Sequence, residues 1–384
     1  MKNKTFRKVM SVMAVITVLS VVVSGCGSSN KKSEGVSESA TEDIGSAGTN
    51  SDGKYFDADA TVEEVLTKAS KEGKIGNWGG GSEYEVLALL SKYGLDTSFL
   101  SQAYDMEGFD DDSILLASVM TYNEKGLVMN DYEGALGYGD SVKVIDFNEE
   151  GVPMLEDNLI CTKKFAEQNP NTVKAFVDAS MKGWKYACEN PEEAAEIVFN
   201  NGSSISPDHQ LFMAEEVKKL VETDTNGEKV TEYGHIDKDA MQGTLDIFRT
   251  YVTLEDSTAN DALKNMTLDD FVDSTYWEDA VAGNYGALEK TDVTIQLKWL
   301  PQCQFMGYYV AKDKGYYDEV GLNVTITPGG GDIGETTAVF TGQADFATTW
   351  PGTLISANAS GMGLLEVAQV YQSSGMQLIY KVNK

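Results

Sequence analysis

The chain has 384 residues, enough for two domains, and a formal net charge of −30. We expect no nucleic-acid partner, because binding a phosphate backbone requires clustered lysine and arginine. Arg249 is the only arginine beyond the first few residues. Bidentate capture of phosphate or sulfonate usually relies on arginine, so this composition disfavours a strongly anionic ligand, although lysine can also serve.

Residues 1–26 have the pattern of a signal peptide, with a basic start and an apolar stretch at 9–23 that is short for a membrane span. The sequence Val-Ser-Gly-Cys at 23–26 resembles a bacterial lipobox. This resemblance implies cleavage before Cys26 and a lipid anchor on it, which places the protein at the extracellular face of the cell membrane. An ordinary signal peptide or a short anchor is the alternative. Residues 27–53 cannot bury a core and predict a flexible linker.

Residues 54–152 alternate between strand and helix patterns, which predicts a smaller α/β lobe. Predicted helices begin at Thr61 and Ser82, each in a capping-box pattern. Three glycines at 79–81 precede the second helix; they permit close approach of a polar ligand atom to free backbone amides, or form a plain turn. The predicted strands lie at 74–78, 101–104, 114–120 and 142–147.

Five residues of this lobe are candidate ligand-binding residues because they follow predicted strands or open a helix: Glu83, Tyr84, Tyr122, Asn123 and Glu124. The two glutamates are suited to accept hydrogen bonds from an amine or a protonated ring nitrogen. The alternative for each glutamate is an exposed acid at a helix start.

Residues 153–384 predict a larger α/β lobe, made of a helical segment at 153–290 and a strand-rich segment at 291–384. Apolar residues at three- and four-residue spacing predict helices at 171–188, 191–199, 207–222, 237–251 and 268–281. Alternating residues and short apolar runs predict strands at 293–299, 322–327, 345–349, 365–371 and 377–382.

The cysteines and histidines of the two lobes predict neither a metal site nor a catalytic centre. Cys161, Cys188 and Cys303 are far apart and form no CxxC pair, so we interpret them as buried or semi-buried thiols without a chemical role. His209 and His235 lie near predicted helix starts, and we interpret them as caps or surface residues.

The strand at 293–299 ends before Pro301 and leads directly into a helix, the opening unit of an α/β domain. Such units bind ligands at the carboxyl end of the strand. Aromatic and amide side chains suited to stack on and hydrogen-bond a small flat molecule gather there and at a second strand end: Trp299, Gln302, Gln304, Phe305, Tyr308 and Trp350. A surface loop with a core tryptophan is the alternative.

Several motifs are similar to those of one known family. In the last quarter of the chain they are Leu-Lys-Trp-Leu-Pro-Gln-Cys-Gln-Phe-Met-Gly-Tyr-Tyr-Val-Ala at 297–311, Lys-Gly-Tyr-Tyr at 314–317, Gly-Leu-Asn-Val-Thr-Ile at 321–326 and Gly-Gln-Ala-Asp-Phe at 342–346. Earlier ones are Trp-Gly-Gly-Gly-Ser-Glu-Tyr-Glu at 78–85, Met-Thr-Tyr-Asn-Glu at 120–124 and Lys-Gly-Trp-Lys-Tyr at 182–186. They resemble solute-binding proteins of ABC importers in the NMT1/THI5-like (SsuA/THI5) family.

The order of the two regions is exchanged relative to that family, because residues 292–384 resemble its first third and residues 61–283 its middle and end. The resemblance therefore implies a two-lobed, periplasmic-binding-protein-like α/β fold of type II in circularly permuted order. We expect contiguous lobes at 54–152 and 153–384, joined by a single crossing near 151–156. A fusion or gene-prediction error that joins halves of neighbouring genes is the alternative.

The resemblance implies a monomeric, extracellular solute-binding lipoprotein that has no cofactor and delivers a small ligand to an ABC permease. A thiamine-precursor pyrimidine is the first expected ligand, riboflavin the next, and a sulfonate such as taurine an alternative. A thiamine-pyrimidine synthase of the same family is disfavoured, because Thr349 and Thr353 stand where that branch has a lysine and a histidine. A surface lipoprotein without a transport role lacks the expected repeats.

Overall fold

The structure is a computed structural model that describes residues 54–330 and 333–383. The predicted signal peptide, Cys26 and the linker lie outside the described residues. Among the described helices, none combines the length and the apolar character needed to cross a membrane.

The described residues form fifteen α-helices and ten strands. The helices are α1 (Val62–Glu72), α2 (Glu83–Lys92), α3 (Glu107–Asp110), α4 (Glu124–Met129), α5 (Lys163–Gln168), α6 (Pro170–Glu189), α7 (Pro191–Asn200), α8 (Pro207–Glu222), α9 (Lys238–Tyr251), α10 (Ser257–Asn265), α11 (Thr275–Val281), α12 (Met306–Asp313), α13 (Tyr316–Glu319), α14 (Glu335–Phe340) and α15 (Pro351–Ala359). The strands are β1 (Ile75–Asn77), β2 (Leu100–Ser101), β3 (Leu116–Met120), β4 (Val142–Asp146), β5 (Asn158–Thr162), β6 (Asp292–Gln296), β7 (Asn323–Thr327), β8 (Phe346–Thr349), β9 (Leu364–Gln369) and β10 (Met376–Lys381).

The strands form two five-stranded mixed sheets, one in each lobe. The first lobe has the order β2-β1-β3-β10-β4, with β10 antiparallel to both of its neighbours. The second lobe has the order β7-β6-β8-β5-β9, with β5 antiparallel to both of its neighbours. The two sheets therefore share one topology, and the two-lobed, periplasmic-binding-protein-like α/β fold is confirmed.

The chain crosses between the lobes twice, at about 147–157 and 370–375. The expectation of a single crossing is wrong, because Leu378 of β10 pairs with Ser118 of β3 and Ile145 of β4 in the first lobe. The predicted strand-rich segment 291–384 is accordingly shared between the lobes. An alternating pattern identifies a strand but not the sheet that it joins, because both sheets offer apolar faces.

The second lobe is held together by aromatic stacking and by close helix packing. The ring of Phe176 in α6 stacks on Phe346 of β8 at 4.1 Å and on Tyr317 of α13 at 5.3 Å. Helices α6 and α12 approach closely at Gly183 and Gly307, where a Cβ atom on Gly307 would lie 2.2 Å from the Trp184 ring. This contact holds the helix that follows the cleft loop against the body of the lobe.

Several local predictions differ from the structure. The predicted helix 268–281 is broken, because a Thr267–Asp270 capping box forms only a short 3₁₀ helix before α11 begins. Helices α3, α4, α5, α10 and α13 and strand β5 were not predicted. Strand β6 ends at Gln296, so Trp299 lies in the loop that follows it.

The predicted capping box of α2 is also wrong. The Ser82 hydroxyl bonds to Gly79 O at 2.8 Å, and Glu85 accepts from the backbone N–H of Met154 at 2.7 Å. Both side chains therefore have partners other than the free amides at the start of α2.

Candidate functional site

A cavity of about 340 Å³ lies between the lobes, where β1, β3, β6 and β8 end. Strand ends facing a cleft between two lobes are a usual position for a small-molecule site. Residues of both lobes line it: Trp78, Gly79, Gly80, Ser82, Tyr104, Met120, Tyr122, Asn123, Glu124, Lys298, Trp299, Gln302, Gln304, Gly330, Ile333, Gly334, Glu335 and Trp350.

The structure brings seven of the eleven candidate ligand-binding residues to this cavity: Tyr122, Asn123, Glu124, Trp299, Gln302, Gln304 and Trp350. They come from two distant parts of the sequence and meet only because the two sheets face one another. Their contact with a ligand stays a prediction.

The other four candidates do not line the cavity. The Glu83 carboxylate is turned back and accepts from Gly81 N at 2.7 Å. Tyr84 packs on Phe248 of α9 at 4.7 Å between ring centroids. Phe305 and Tyr308 are buried in the second lobe, with Tyr308 edge-on to Trp184. A helix that follows a strand end directs only part of its first turn at the cleft. Closeness to a strand end in the sequence therefore predicted more ligand-binding residues than line the cavity.

Several cavity residues were not among the candidates. Trp78, Gly79 and Gly80 follow β1, and the glycine run was the signal that pointed to them. Gly79 and Gly80 have φ values of 71° and 66°, which favour glycine and keep the backbone bare beside the cavity. Lys298 was missed because it lies among the polar residues that alternate with the buried face of the predicted strand, and Tyr104, at the end of the predicted strand 101–104, was also missed.

One wall of the cavity is aromatic and spans both lobes. The rings of Trp78 and Tyr104 lie nearly parallel, with centroids 6.2 Å apart, and Tyr104 contacts Trp299 at 4.6 Å. Trp78 belongs to the first lobe and Trp299 to the second. This wall offers flat apolar surface on which a planar ring can stack.

The positive charge in the cavity is already paired. Lys298 Nζ lies 3.2 Å from Glu335 Oε1 and 4.9 Å from the centre of the Trp350 ring. It also approaches Gly80 O of the first lobe at 3.4 Å. Glu335 accepts a second hydrogen bond, at 2.6 Å, from the hydroxyl of Thr349. The ammonium group is therefore neutralised before any ligand enters.

A chain of amides leads from the cavity to a buried acid. Gln302 donates to Gln304 Oε1 at 2.7 Å, and Gln304 donates to Asp157 Oδ2 at 2.8 Å. The indole N–H of Trp350 reaches the same oxygen at 3.2 Å. Burial raises the pKa of Asp157 to about 7. This network fixes which polar edges the two glutamines present to the cavity.

On the first-lobe side another buried acid, Glu124, lines the cavity. Its carboxylate accepts from the backbone N–H of Met120 at 3.0 Å and from Asn123 Nδ2 at 2.8 Å. Burial raises the pKa of Glu124 to about 7, since removal from water disfavours the charged form. A ligand donor or cation at this position would restore the ionised form.

The described residues hold no cluster of histidine, cysteine or acidic side chains placed to bind a metal. Cys161, Cys188 and Cys303 are buried and free, and burial raises the pKa of each thiol. No cysteine lines the cavity described above.

Two α/β lobes of one topology that enclose an aromatic and acidic cleft define a two-lobed small-molecule-binding fold. A family model described as NMT1/THI5 like matches residues 68–194 and 302–384, more than half of the chain. The chain therefore belongs to the NMT1/THI5-like family, which includes solute-binding proteins and thiamine synthase-like members. No curated protein matches the chain.

Proposed function

We propose that the chain is the solute-binding lipoprotein of an ABC importer and captures a small nitrogenous heteroaromatic solute. A thiamine-precursor pyrimidine is the first candidate and riboflavin the second. The observation that carries the proposal is the presence of an aromatic wall and the buried acid Glu124 in one cavity between the lobes. Stacking holds the ring, and the acid accepts hydrogen bonds from an amine or a protonated ring nitrogen.

The charges of the cavity favour this solute over a sulfonate. Lys298 is the one basic residue among the lining residues, and its ammonium group is paired with Glu335. A sulfonate would have to displace Glu335, leaving a buried carboxylate without its partner, which is costly. A nitrogen base meets Glu124 without breaking an existing ion pair.

The test is a ligand screen on the purified chain by thermal shift and titration calorimetry. The probes are 4-amino-5-hydroxymethyl-2-methylpyrimidine, riboflavin and taurine. We expect the melting temperature to rise with the pyrimidine, because a ligand that binds only the folded state stabilises it. A rise with taurine alone would reject the proposed solute class, and no rise with any probe would favour a surface lipoprotein without a transport role.

The membrane anchor and the importer are tested separately in cells. We expect the full chain to label with palmitate and to sediment with the membrane, and Cys26→Ser to lose both properties. Retention of the variant in the membrane would favour an uncleaved anchor over lipidation. Co-purification of an ABC permease with the full chain would support the transport role.

We propose a binding protein rather than an enzyme. Thr349 and Thr353 carry no amine, and Lys298, the amine in the cavity, is engaged by Glu335 and Trp350. Pyridoxal phosphate added to the protein should therefore keep the absorption spectrum of the free cofactor. A shifted spectrum that persists through dialysis would favour a synthase.

We also propose that the chain is a circular permutant of its family. Its described ends adjoin, with Asn383 N donating to Phe56 O at 2.8 Å and Phe56 N to Lys381 O at 3.2 Å. Strands β1–β4 of the first sheet and β6–β9 of the second occupy corresponding positions, and exchanging the segments 291–384 and 54–283 leaves this correspondence unchanged. The strand next to a crossing lies between the third and fourth of these strands in each sheet: β10 between β3 and β4, and β5 between β8 and β9. Termini that lie close together permit such a rearrangement.

A further inference from the structure

The imidazole of His209 bridges the two lobes beside the cavity. His209 lies in the first turn of α8, in the second lobe, and is 2% exposed, so its interpretation as a cap or surface side chain is wrong. Its Nε2 lies 2.8 Å from Oδ1 of Asn123 in the first lobe. Its Nδ1 is hydrogen-bonded to the hydroxyl of Tyr132, also in the first lobe.

The hydrogen-bond directions follow from Glu124. Nδ2 of Asn123 donates to Glu124 Oε1 at 2.8 Å, and Oδ1 of the same amide, which can only accept, therefore faces His209. His209 Nε2 therefore carries the hydrogen, and Nδ1 accepts from the Tyr132 hydroxyl. Burial lowers the pKa of His209 to about 4, which keeps the imidazole neutral as this arrangement requires.

A second contact brings the same helix against the first lobe. The ring of Phe212, one turn after His209, lies against α4 at Gly126, where a Cβ atom would come within 2.3 Å of the ring. The His209 imidazole stacks over this ring at an angle of 15°. A second cavity of about 330 Å³ adjoins the first and is lined by His209 and Asn123. Helix α8 is thus seated on the first lobe where Asn123 and Glu124 meet the cleft.

We propose that His209 is a positioning residue for ligand selection: when the lobes close, its imidazole docks on Asn123 and fixes the Asn123 amide and the Glu124 carboxylate that receive the amine of the ligand. The His209–Asn123 contact exists only while α8 lies against the first lobe. Ligand binding and closure of the two lobes therefore stabilise one another. The inference rests on the proposed function for its ligand and on the contacts of His209 with Asn123 and Tyr132 for its geometry.

The binding experiment compares His209→Ala, His209→Gln and the control His235→Ala. His235 is the other histidine of the chain and packs on Trp277, away from the lining residues of the cavity. Affinity is measured by calorimetry for 4-amino-5-hydroxymethyl-2-methylpyrimidine and for the same pyrimidine without its 4-amino group. We expect His209→Ala to lose roughly tenfold for the amine and much less for the analogue, the size of one hydrogen bond. Glutamine should restore selectivity because it can donate to Asn123 and accept from Tyr132.

Three outcomes would overturn the inference. The first is an equal loss of affinity for both pyrimidines in His209→Ala, the second is failure of His209→Gln to restore the selectivity, and the third is a loss of selectivity in His235→Ala.

A second experiment needs no ligand and uses nitrogen NMR of the two histidines. We expect His209 to be the Nε2–H tautomer, neutral at pH 6, with a resonance that moves in Asn123→Ala. If His209 is the other tautomer, or titrates near pH 6.5, the positioning role is refuted even if neither pyrimidine binds. If the His209 resonance is as expected but neither pyrimidine binds, only the proposed ligand is refuted.

Discussion

At the scale of single residues, the cavity is defined by a few side chains whose environment differs from what their sequence position indicates. Trp299 follows a strand but works as part of an aromatic wall with Tyr104 and Trp78. Glu124 is an acid at a helix start that is buried rather than exposed. Two predictions concern these residues.

Trp299→Ala should lower the affinity for 4-amino-5-hydroxymethyl-2-methylpyrimidine by roughly tenfold, because stacking on an aromatic ring contributes about 0.5–1.5 kcal/mol beyond area burial. Trp299→Phe should keep most of the affinity. The control is Phe340→Ala, which removes an aromatic side chain that is 52% exposed and outside the cavity. Calorimetry showing equal affinities in Trp299→Ala and Phe340→Ala would contradict this role.

Glu124→Gln should remove a pH dependence of ligand binding. Because burial raises the pKa of Glu124 to about 7, the carboxylate forms as the pH rises through 7, and affinity for an amine should rise with it. The variant should bind more weakly at pH 8 and show a flatter profile between pH 6 and 8. A wild-type profile as flat as that of the variant would show that Glu124 does not meet the amine.

At the scale of elements, helix packing in the second lobe positions the loop that carries Trp299, Gln302 and Gln304. Helices α6 and α12 are close because glycines face one another, and this closeness sets where the loop before α12 leaves the lobe. Glycine is a poor helix former, but a larger residue at these positions would not fit between the two helices.

Gly307→Ala should destabilise the protein, although alanine is the better helix former by about 1 kcal/mol. Its Cβ would lie 2.2 Å from the buried ring of Trp184, and overpacking of this kind costs about 1–3 kcal/mol or more. Gly243→Ala in α9 is the matched control, because its Cβ would meet nothing within 4 Å. It should stabilise by up to about 1 kcal/mol in urea unfolding, and a similar gain in Gly307→Ala would refute the packing argument.

At the scale of the whole molecule, both crossings between the lobes meet at a pair of buried acids. Ser374 Oγ of the second crossing lies 2.7 Å from Glu85 Oε1 and 3.3 Å from Glu156 Oε1. Glu156 Oε2 has no hydrogen-bond partner among the described residues. Burial raises the pKa of both carboxyls, and the nearness of Glu85 adds to the effect on Glu156. Both carboxyls therefore favour the neutral form in the folded protein.

This pair should make folding stability fall as the pH rises. Both pKa values are higher in the folded state than in the unfolded chain, so the contribution is fully present below about pH 4.5 and is lost as the pH rises through the folded-state values. Glu156→Gln, which stays neutral, should flatten the decline of the free energy of unfolding above pH 5. The measurement is urea unfolding from pH 5 to 8, and an unchanged slope would contradict the role of the pair.

The permutation proposal makes a prediction about the order of the two segments in the chain. A protein in which residues 284–384 precede residues 54–283 should fold and melt within a few degrees of the present order, since all contacts between elements are kept. Its pyrimidine affinity should also match. A reordered chain that aggregates, or a melting temperature tens of degrees lower, would show that the present order is required for folding.

The sequence by itself determined most elements, the two α/β lobes and the family, because apolar periodicity and short motifs are local properties of the chain. It also determined that Trp299, Gln302 and Gln304 belong to a strand end. Only the tertiary structure decided that β10 returns to the first lobe, that Lys298 faces an acid in the cleft, and that Glu83, Tyr84, Phe305 and Tyr308 turn away from it. Likewise, His209 became a bridge between lobes only through folding. These features depend on which surfaces of the two lobes meet across the cleft. Those contacts join residues that are far apart in the chain, so a local sequence pattern does not predict them.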